Sequence, residues 1–244
     1  GDSPATTPGD VVNVNAGNQP VNYDIVTGTI SVTGGQSVQV TNIESVIISQ
    51  ATTLTIFGGA TSDTVEIANN LAGDFVTING GAQLQLSGVG AVIFNGGNGD
   101  DEFVVNQLTR PVATSMTFNG QTQSGGGTGD RLTIFGSFTT QTFNYTAPGI
   151  DGNNGTVQLD AQVITYTGLE PITGGNSVDT ILNFNTGAAN DATLKANASP
   201  GLIEIVDNGS TFEDTVFTNP SNSLTVNLGT LGDRLNVNTL DPAY

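Results

Sequence analysis

Short stretches of alternating apolar and polar residues run through this chain, and their period of two decides what it can fold into. "TISVTG", "LTIFGG", "DTVEIA", "DFVTING", "QLQLSG", "MTFNGQ", "RLTIFG", "TVQLD", "DTILNF", "LIEIVDNG", "SLTVNLG" and "RLNVNTL" each read as a short strand closed by turn residues. No run of apolar residues keeps the helical spacing i, i+3, i+4, i+7, because Gly, Asn or Thr interrupts each candidate window. The chain is therefore predicted to be all-β.

The turn residues give the architecture. Asn or Phe followed by Gly closes strands at Gly58, Gly80, Gly96, Gly120 and Gly136, in steps of 22, 16, 24 and 16 residues; Gly168, Gly187, Gly209 and Gly229 follow in steps of 19, 22 and 20. Asn and Gly tolerate the left-handed backbone that a sharp corner needs. Steps near 20 residues predict a right-handed parallel β-solenoid, or β-helix, of roughly 20-residue coils, about ten in number. Tandem β-sandwich modules produce the same short strands and turns and stand as the alternative.

A longer repeat overlies the short one. Residues 21–49 can be laid on 143–173, matching Tyr23 with Tyr145, Gly28-Thr29 with Gly155-Thr156, and Glu44 with Glu170. "VIFNGGNGDDEFVVNQL" likewise aligns with "TVNLGTLGDRLNVNTL", pairing Asp100 or Asp101 with Asp233. The expected organisation is a linker over 1–20, a first degenerate β unit over 21–140, and a second over 141–244, continuous with the first and cut inside a repeat at Tyr244. Such an excerpt belongs to a tandem array, which suits a stalk, fibre or surface layer.

Composition removes most chemistry. There is no Cys, His or Trp, so disulfides, thiolate nucleophiles, Ser-His-Asp triads and His-bound zinc are absent. Four basic residues stand against 22 acidic ones, a net charge of −18. Phosphate backbones and anionic membrane surfaces are repelled by such a chain, which argues against nucleic-acid binding. No apolar run approaches the roughly 20 residues of a membrane span. Divalent cations are the partners this charge favours.

The acidic residues are spread along the chain, and some stand at Gly-rich corners. "GGNGDDEFVV" (residues 96–105) and "GGTGDRLTI" (126–134) carry Asp100, Asp101 and Asp130; "GGATSDTVEI", "GGNSVDTILNF" and "LGTLGDRLNV" carry Asp63, Asp179 and Asp233. These turns resemble the calcium nonapeptide of the repeats-in-toxin proteins, and the whole pattern is similar to repeat arrays of very large bacterial surface proteins. The first resemblance implies Ca²⁺ held by backbone carbonyls and by the carboxylates of Asp100, Asp101, Asp130, Asp63, Asp179 and Asp233, between stacked turns. Here the motifs stand about 29 to 54 residues apart instead of nine, so a site forms only where the fold stacks them. An Asp before a strand also fixes its turn without metal, by accepting from backbone N–H groups. Asp100, Asp101 and Glu102 together repel unless a cation or a donor compensates.

The expected function is a structural or adhesive repeat segment of an extracellular bacterial surface or filament protein, stabilised by Ca²⁺ and not catalytic. Its expected partners are neighbouring repeats, a further copy of itself, or a surface glycan or protein, with no nucleic acid and no membrane insertion. The alternative is a carbohydrate-binding or carbohydrate-degrading β-helix, for which Asp160, Glu170, Asp179 and Glu204 are the scattered acidic candidates.

Overall fold

The computed structural model describes residues 10–40, 43, 45–81, 83–122 and 129–240. Every regular element among them is a strand. In chain order these are β1 (Val11–Asn15), β2 (Val21–Asp24), β3 (Thr29–Val32), β4 (Ser37–Gln39), β5 (Ser45–Ser49), β6 (Thr53–Phe57), β7 (Thr64–Asn70) and β8 (Gly73–Ile78). There follow β9 (Gln83–Ser87), β10 (Ala91–Asn98), β11 (Glu102–Asn106), β12 (Ser115–Thr122), β13 (Arg131–Phe135), β14 (Ser137–Thr146), β15 (Asn153–Leu159) and β16 (Gln162–Leu169). The last are β17 (Ile172–Thr173), β18 (Asn176–Asn185), β19 (Asp191–Ala196), β20 (Leu202–Asp207), β21 (Thr215–Thr218), β22 (Ser223–Asn227) and β23 (Arg234–Val237). Strand β1 falls in the stretch expected to be a linker. Its sequence "VVNVN" alternates, and it pairs in register with β5.

The strands make two sheets. The twelve-stranded sheet runs β1-β5-β9-β8-β7-β11-β13-β17-β21-β20-β19-β23, and the eleven-stranded sheet β22-β18-β14-β15-β16-β12-β10-β6-β2-β3-β4. All antiparallel pairings fall inside four three-strand meanders, β2–β4, β7–β9, β14–β16 and β19–β21. The remaining pairs are parallel, so the fold is all-β with two mixed, mostly parallel sheets. Meanders alternate between the sheets, and β14–β23 therefore retrace the path of β2–β11.

The meanders explain the uneven glycine steps. A parallel neighbour requires a passage through the opposite sheet, whereas an antiparallel one needs only a tight turn. Gly58 directly follows β6, and Gly96 and Gly120 fall within β10 and β12, all in the eleven-stranded sheet on the parallel path, while Gly80 (φ +65°) sits in the β8–β9 turn. The parallel stack expected from the sequence is therefore present for most pairs, with hairpins built into it.

Between the sheets lies one continuous core. Alternate residues such as Val92, Phe94, Phe103, Val105, Met116 and Phe118 face inward and are buried, while their neighbours face out. In-register pairing of β10 with β12 sets Phe94 opposite Phe118. Their rings stack with centroids 5.1 Å apart and planes 2° from parallel, and Phe103 from the other sheet closes on both. Tyr145, Phe184 and Phe212 form a second cluster further along. On the outer face asparagines stack in the strand register, Asn119 Nδ2 donating to Asn95 Oδ1 at 2.8 Å, and Asn227 to Asn183 and Asn183 to Asn144 at 2.7 Å. Each ladder adds a side-chain hydrogen bond to the backbone ones.

Phe118→Ala should lower unfolding free energy by about 3–5 kcal/mol, since it leaves a cavity between two aromatic partners. Phe135→Ala, at a position 45% exposed, should cost under about 1 kcal/mol in the same denaturant titration.

Candidate functional site

The acidic corners converge on one edge of the twelve-stranded sheet. Asp63, Asp101 and Asp130 each precede a strand, and the registers Thr64↔Glu102↔Arg131 set them one above another. The registers Leu132↔Ile172↔Thr215 carry the same column on to Glu170 and Glu213. Five carboxylates therefore line up along five successive parallel strands.

At its first steps the column is held by a two-bond clamp. Asp63 N–H donates to Asp101 Oδ1 at 2.7 Å, and Asp63 C=O accepts from Glu102 N–H at 2.8 Å. Asp101 repeats this toward the next strand, donating to Asp130 Oδ1 at 2.7 Å and accepting from Arg131 N–H at 2.7 Å. The motif recurs at the far end, where Asn190 N–H donates to Asp233 Oδ1 at 2.8 Å and Asn190 C=O accepts from Arg234 N–H at 2.8 Å. A short carboxylate thus replaces the strand carbonyl that a corner cannot supply. Asn79 (φ +50°) caps the column: its Nδ2 donates to Asp63 Oδ1 at 2.8 Å, and its Oδ1 accepts from Thr64 N–H at 2.7 Å.

The corner glycines belong to the same device. A β-carbon on Gly96 would lie 2.3 Å from Asp101 Oδ2, and one on Gly120 would lie 2.4 Å from Asp130 Oδ2 and 2.3 Å from Gly168 O. Each carboxylate sits over the α-carbon of its own corner glycine, so the two residues are one unit. Asp63 Oδ2 accepts from Gly59 N–H at 2.9 Å, but Asp101 Oδ2 and Asp130 Oδ2 are buried without a donor among the described residues.

Electrostatics follow from that burial. Asp101 is 1% exposed, and burial pushes its carboxyl up to about 7; the Asp63 N–H pulls against this, while Asp130, Asp63 and Asp100 push further. Burial likewise raises Asp130 to about 6, opposed by the Asp101 N–H and aided by Asp100 and Glu170. Glu213 rises to about 9, chiefly by burial, although Asn153 Nδ2 donates to its Oε2 at 3.2 Å. Near neutral pH the column therefore carries protons as well as charge.

The other expected ligands are placed differently. Asp100 flanks the column, and its N–H donates to Ser62 Oγ at 3.3 Å. Asp233 precedes the edge strand β23 and stands against Asn190 just before β19, and the Asn190 N–H holds it below the usual carboxylate range. Asp179 is not at a corner at all: β18 begins at Asn176, and Asp179 accepts from Ser223 Oγ at 2.6 Å and Asn222 Nδ2 at 2.7 Å, which lower its pKa. The repulsion expected among Asp100, Asp101 and Glu102 is met partly by donors from neighbouring strands, since Glu102 Oε1 takes Arg131 Nε at 3.1 Å and Thr133 Oγ1 at 2.7 Å. Among the described residues, no group of three or more acidic side chains is arranged to hold a metal ion. Glu44 and residues 126–128 of the second Gly-rich motif lie outside the described residues.

Glu213 was not singled out from sequence; its only signal is a place in register with Glu170. It lines a cleft of about 360 Å³ with Glu170, Asp207, Asp214 and Phe212, yet is itself 1% exposed. The larger cleft, about 570 Å³, lies between the segment 111–115 and the β15–β16 turn and has one acidic group, Asp160, whose Oδ1 accepts from Thr140 N–H at 2.9 Å. Glu204 pairs with Lys195 at 3.1 Å. The carboxylates considered for glycoside chemistry are thus distributed over separate places. Comparison with protein-family models, curated proteins and solved structures gave no match.

The sign of the pH dependence follows directly. A carboxyl whose folded pKa is raised binds a proton that the unfolded chain has released, so its contribution to stability is full below about pH 4 and is lost as pH rises through the folded value. For Asp101 and Asp130 that window runs from about pH 4 to 6–7, and for Glu213 to about pH 9. Melting temperature should rise as pH is lowered from about 9 to 5. Asp101→Asn keeps the acceptor for Asp63 N–H and should flatten the slope between about pH 5 and 7. Asp101→Ala leaves that N–H unpaired and should cost about 1–3 kcal/mol at either pH.

Proposed function

We propose that the chain is a right-handed parallel β-solenoid segment with meanders inserted in it, serving as a rigid spacer or adhesive stalk in an extracellular bacterial surface or filament protein. The observation that carries this reading is the ladder itself: backbone, aspartate and asparagine bonds all run from one strand to the next along the stack. Stability is then built from neighbour-to-neighbour contacts, as in repeat proteins that act by their length. The hand follows from the strong preference of parallel crossovers for the right-handed path. Twelve strands at the usual spacing extend roughly 50 Å.

Small-angle scattering from the isolated chain should give a rod with a long dimension near that value, and a compact spherical particle would contradict the spacer. Incubation with acidic polysaccharides should release no new reducing or unsaturated ends; their appearance would favour a carbohydrate-degrading role over the structural one.

Calcium enters as a second means of neutralising the column. The buried, donor-free Oδ2 atoms of Asp101 and Asp130 are hard oxygens of the kind Ca²⁺ takes. A cation there would compete with the protons. Millimolar Ca²⁺ should therefore raise the melting temperature more at about pH 8 than at pH 5, chelator should reverse it, and Asp101→Asn with Asp130→Asn should abolish the difference.

A further inference from the structure

Four strands end the two sheets, β1 and β4 at one end, β22 and β23 at the other, and each has a described partner on one side alone. Exposed edges of this kind are normally blunted by charge, proline or a bulge. Strand β1 carries none of these, and β23 carries a single charge, Arg234. Both edges also leave apolar side chains uncovered, with Val237 57% and Val11 43% exposed.

The sequences of the two edges match. Residues 232–238 read "GDRLNVN" and residues 9–15 read "GDVVNVN". Topology explains the match: β23 holds the place of β11 in the repeated path, and β1 holds the place of β13, since both β1 and β13 precede a meander in the eleven-stranded sheet. Within the chain β11 and β13 pair directly, in parallel, with Glu102 opposite Arg131.

We infer that β23 of one molecule pairs with β1 of a second copy in this same register, joining molecules head to tail. Leu235 then lies on Val12, Val237 on Val14, Asn236 on Asn13 and Asn238 on Asn15. The inner row continues as aliphatic on aliphatic, and the outer row sets asparagine on asparagine, the pairing that the eleven-stranded sheet shows at Asn144, Asn183 and Asn227. Asp10 takes the place of Asp130: its C=O accepts from Ser45 N–H at 3.2 Å, as Asp130 C=O accepts from Glu170 N–H at 2.6 Å. The clamp seen between Asp101 and Asp130 would close between Asp233 and Asp10 of the second copy. Because the two surfaces differ, the contact does not close on itself, and its product is an open filament. The twelve-stranded sheet carries the junction. In the other sheet β22 and β4 are left one strand apart, the place that β12 fills between β10 and β16.

This inference rests on the stalk reading above, and position 11 tests it separately. Val11 would face Arg234 of the neighbouring molecule, as Arg131 faces Glu102 within the chain. Val11→Glu should recreate that ion pair and tighten self-association by about two- to fivefold, while Val11→Arg should oppose two cations and weaken it by a similar factor. Bulk charge predicts the reverse, because an added carboxylate makes a chain of net charge −18 more repulsive. Sedimentation velocity over a wide concentration range, in about 0.15 M salt, measures both variants against the parent chain, with melting curves checking that each is folded. Association strengthened by Glu and weakened by Arg is the expected result. A chain that stays monomeric, or associates with the signs that net charge dictates, or responds to neither change, would overturn the inference. A rod-shaped monomer in scattering would leave the stalk reading standing while this one fell.

Discussion

The hydrogen bond from a corner N–H to the carboxylate of the next strand's aspartate is what lets this fold turn corners without losing backbone pairing. A parallel stack has the difficulty that ladder bonds end where strands end, and a buried unpaired N–H costs about 1–3 kcal/mol. At Asp63, Asp101 and Asn190 the missing acceptor is supplied from the neighbouring strand at 2.7–2.8 Å. Glycine follows from the same bond, because the carboxylate that reaches the N–H covers the α-carbon of Gly96 or Gly120. The Gly-rich acidic turn is thus explained first as architecture, and cation binding is an addition to it.

The clamp also sets where the column changes character. At Pro171 there is no N–H to return to Asp130, and Glu170 N–H takes that carbonyl instead. Beyond this point the column is continued by Glu170 and Glu213 without the repeated aspartate bond. Glu213 then stands buried beside Phe212 and the acidic Glu170 and Asp214, and its pKa is the highest of the carboxyls raised in the column. Burial there outweighs the Asn153 side-chain and Asp214 backbone donors that pull the other way.

What could be read from the sequence was the part governed by local chemistry. Period-two alternation marked strands such as "LTIFGG" and "RLTIFG", and the match of Tyr23 with Tyr145 falls on equivalent strands, β2 and β14. Less visible was anything that depended on register. Gly28 and Gly155 look alike in sequence, but Tyr23 pairs with Ile30 and Tyr145 with Gly155, so Gly155 stands where Ile30 does. It is glycine because a β-carbon would lie 2.4 Å from the Tyr166 hydroxyl. Asp179 resembled a corner residue and lies within β18, since β18 runs three residues further back than its alternation suggested. Glu213 sits in no recognisable motif; only pairing of β17 with β21 brings it under Glu170. The meanders were hidden for the same reason, because a strand carries no local mark of whether its neighbour runs parallel or antiparallel.

The clamp has a direction, and that direction constrains assembly. Where the clamp operates, a corner offers backbone N–H and C=O groups to the strand after it and a carboxylate to the strand before it, as Asp101 does toward Asp130 and Asp63. A stack built this way is polar along its length. Two like ends brought together would oppose carboxylate to carboxylate or donor to donor, whereas unlike ends continue the ladder. Net charge adds to this, since 22 acids against four bases make any contact unfavourable unless its carboxylates meet donors. The same acidic corners that hold successive strands together therefore disfavour every end contact except the one that repeats the interior.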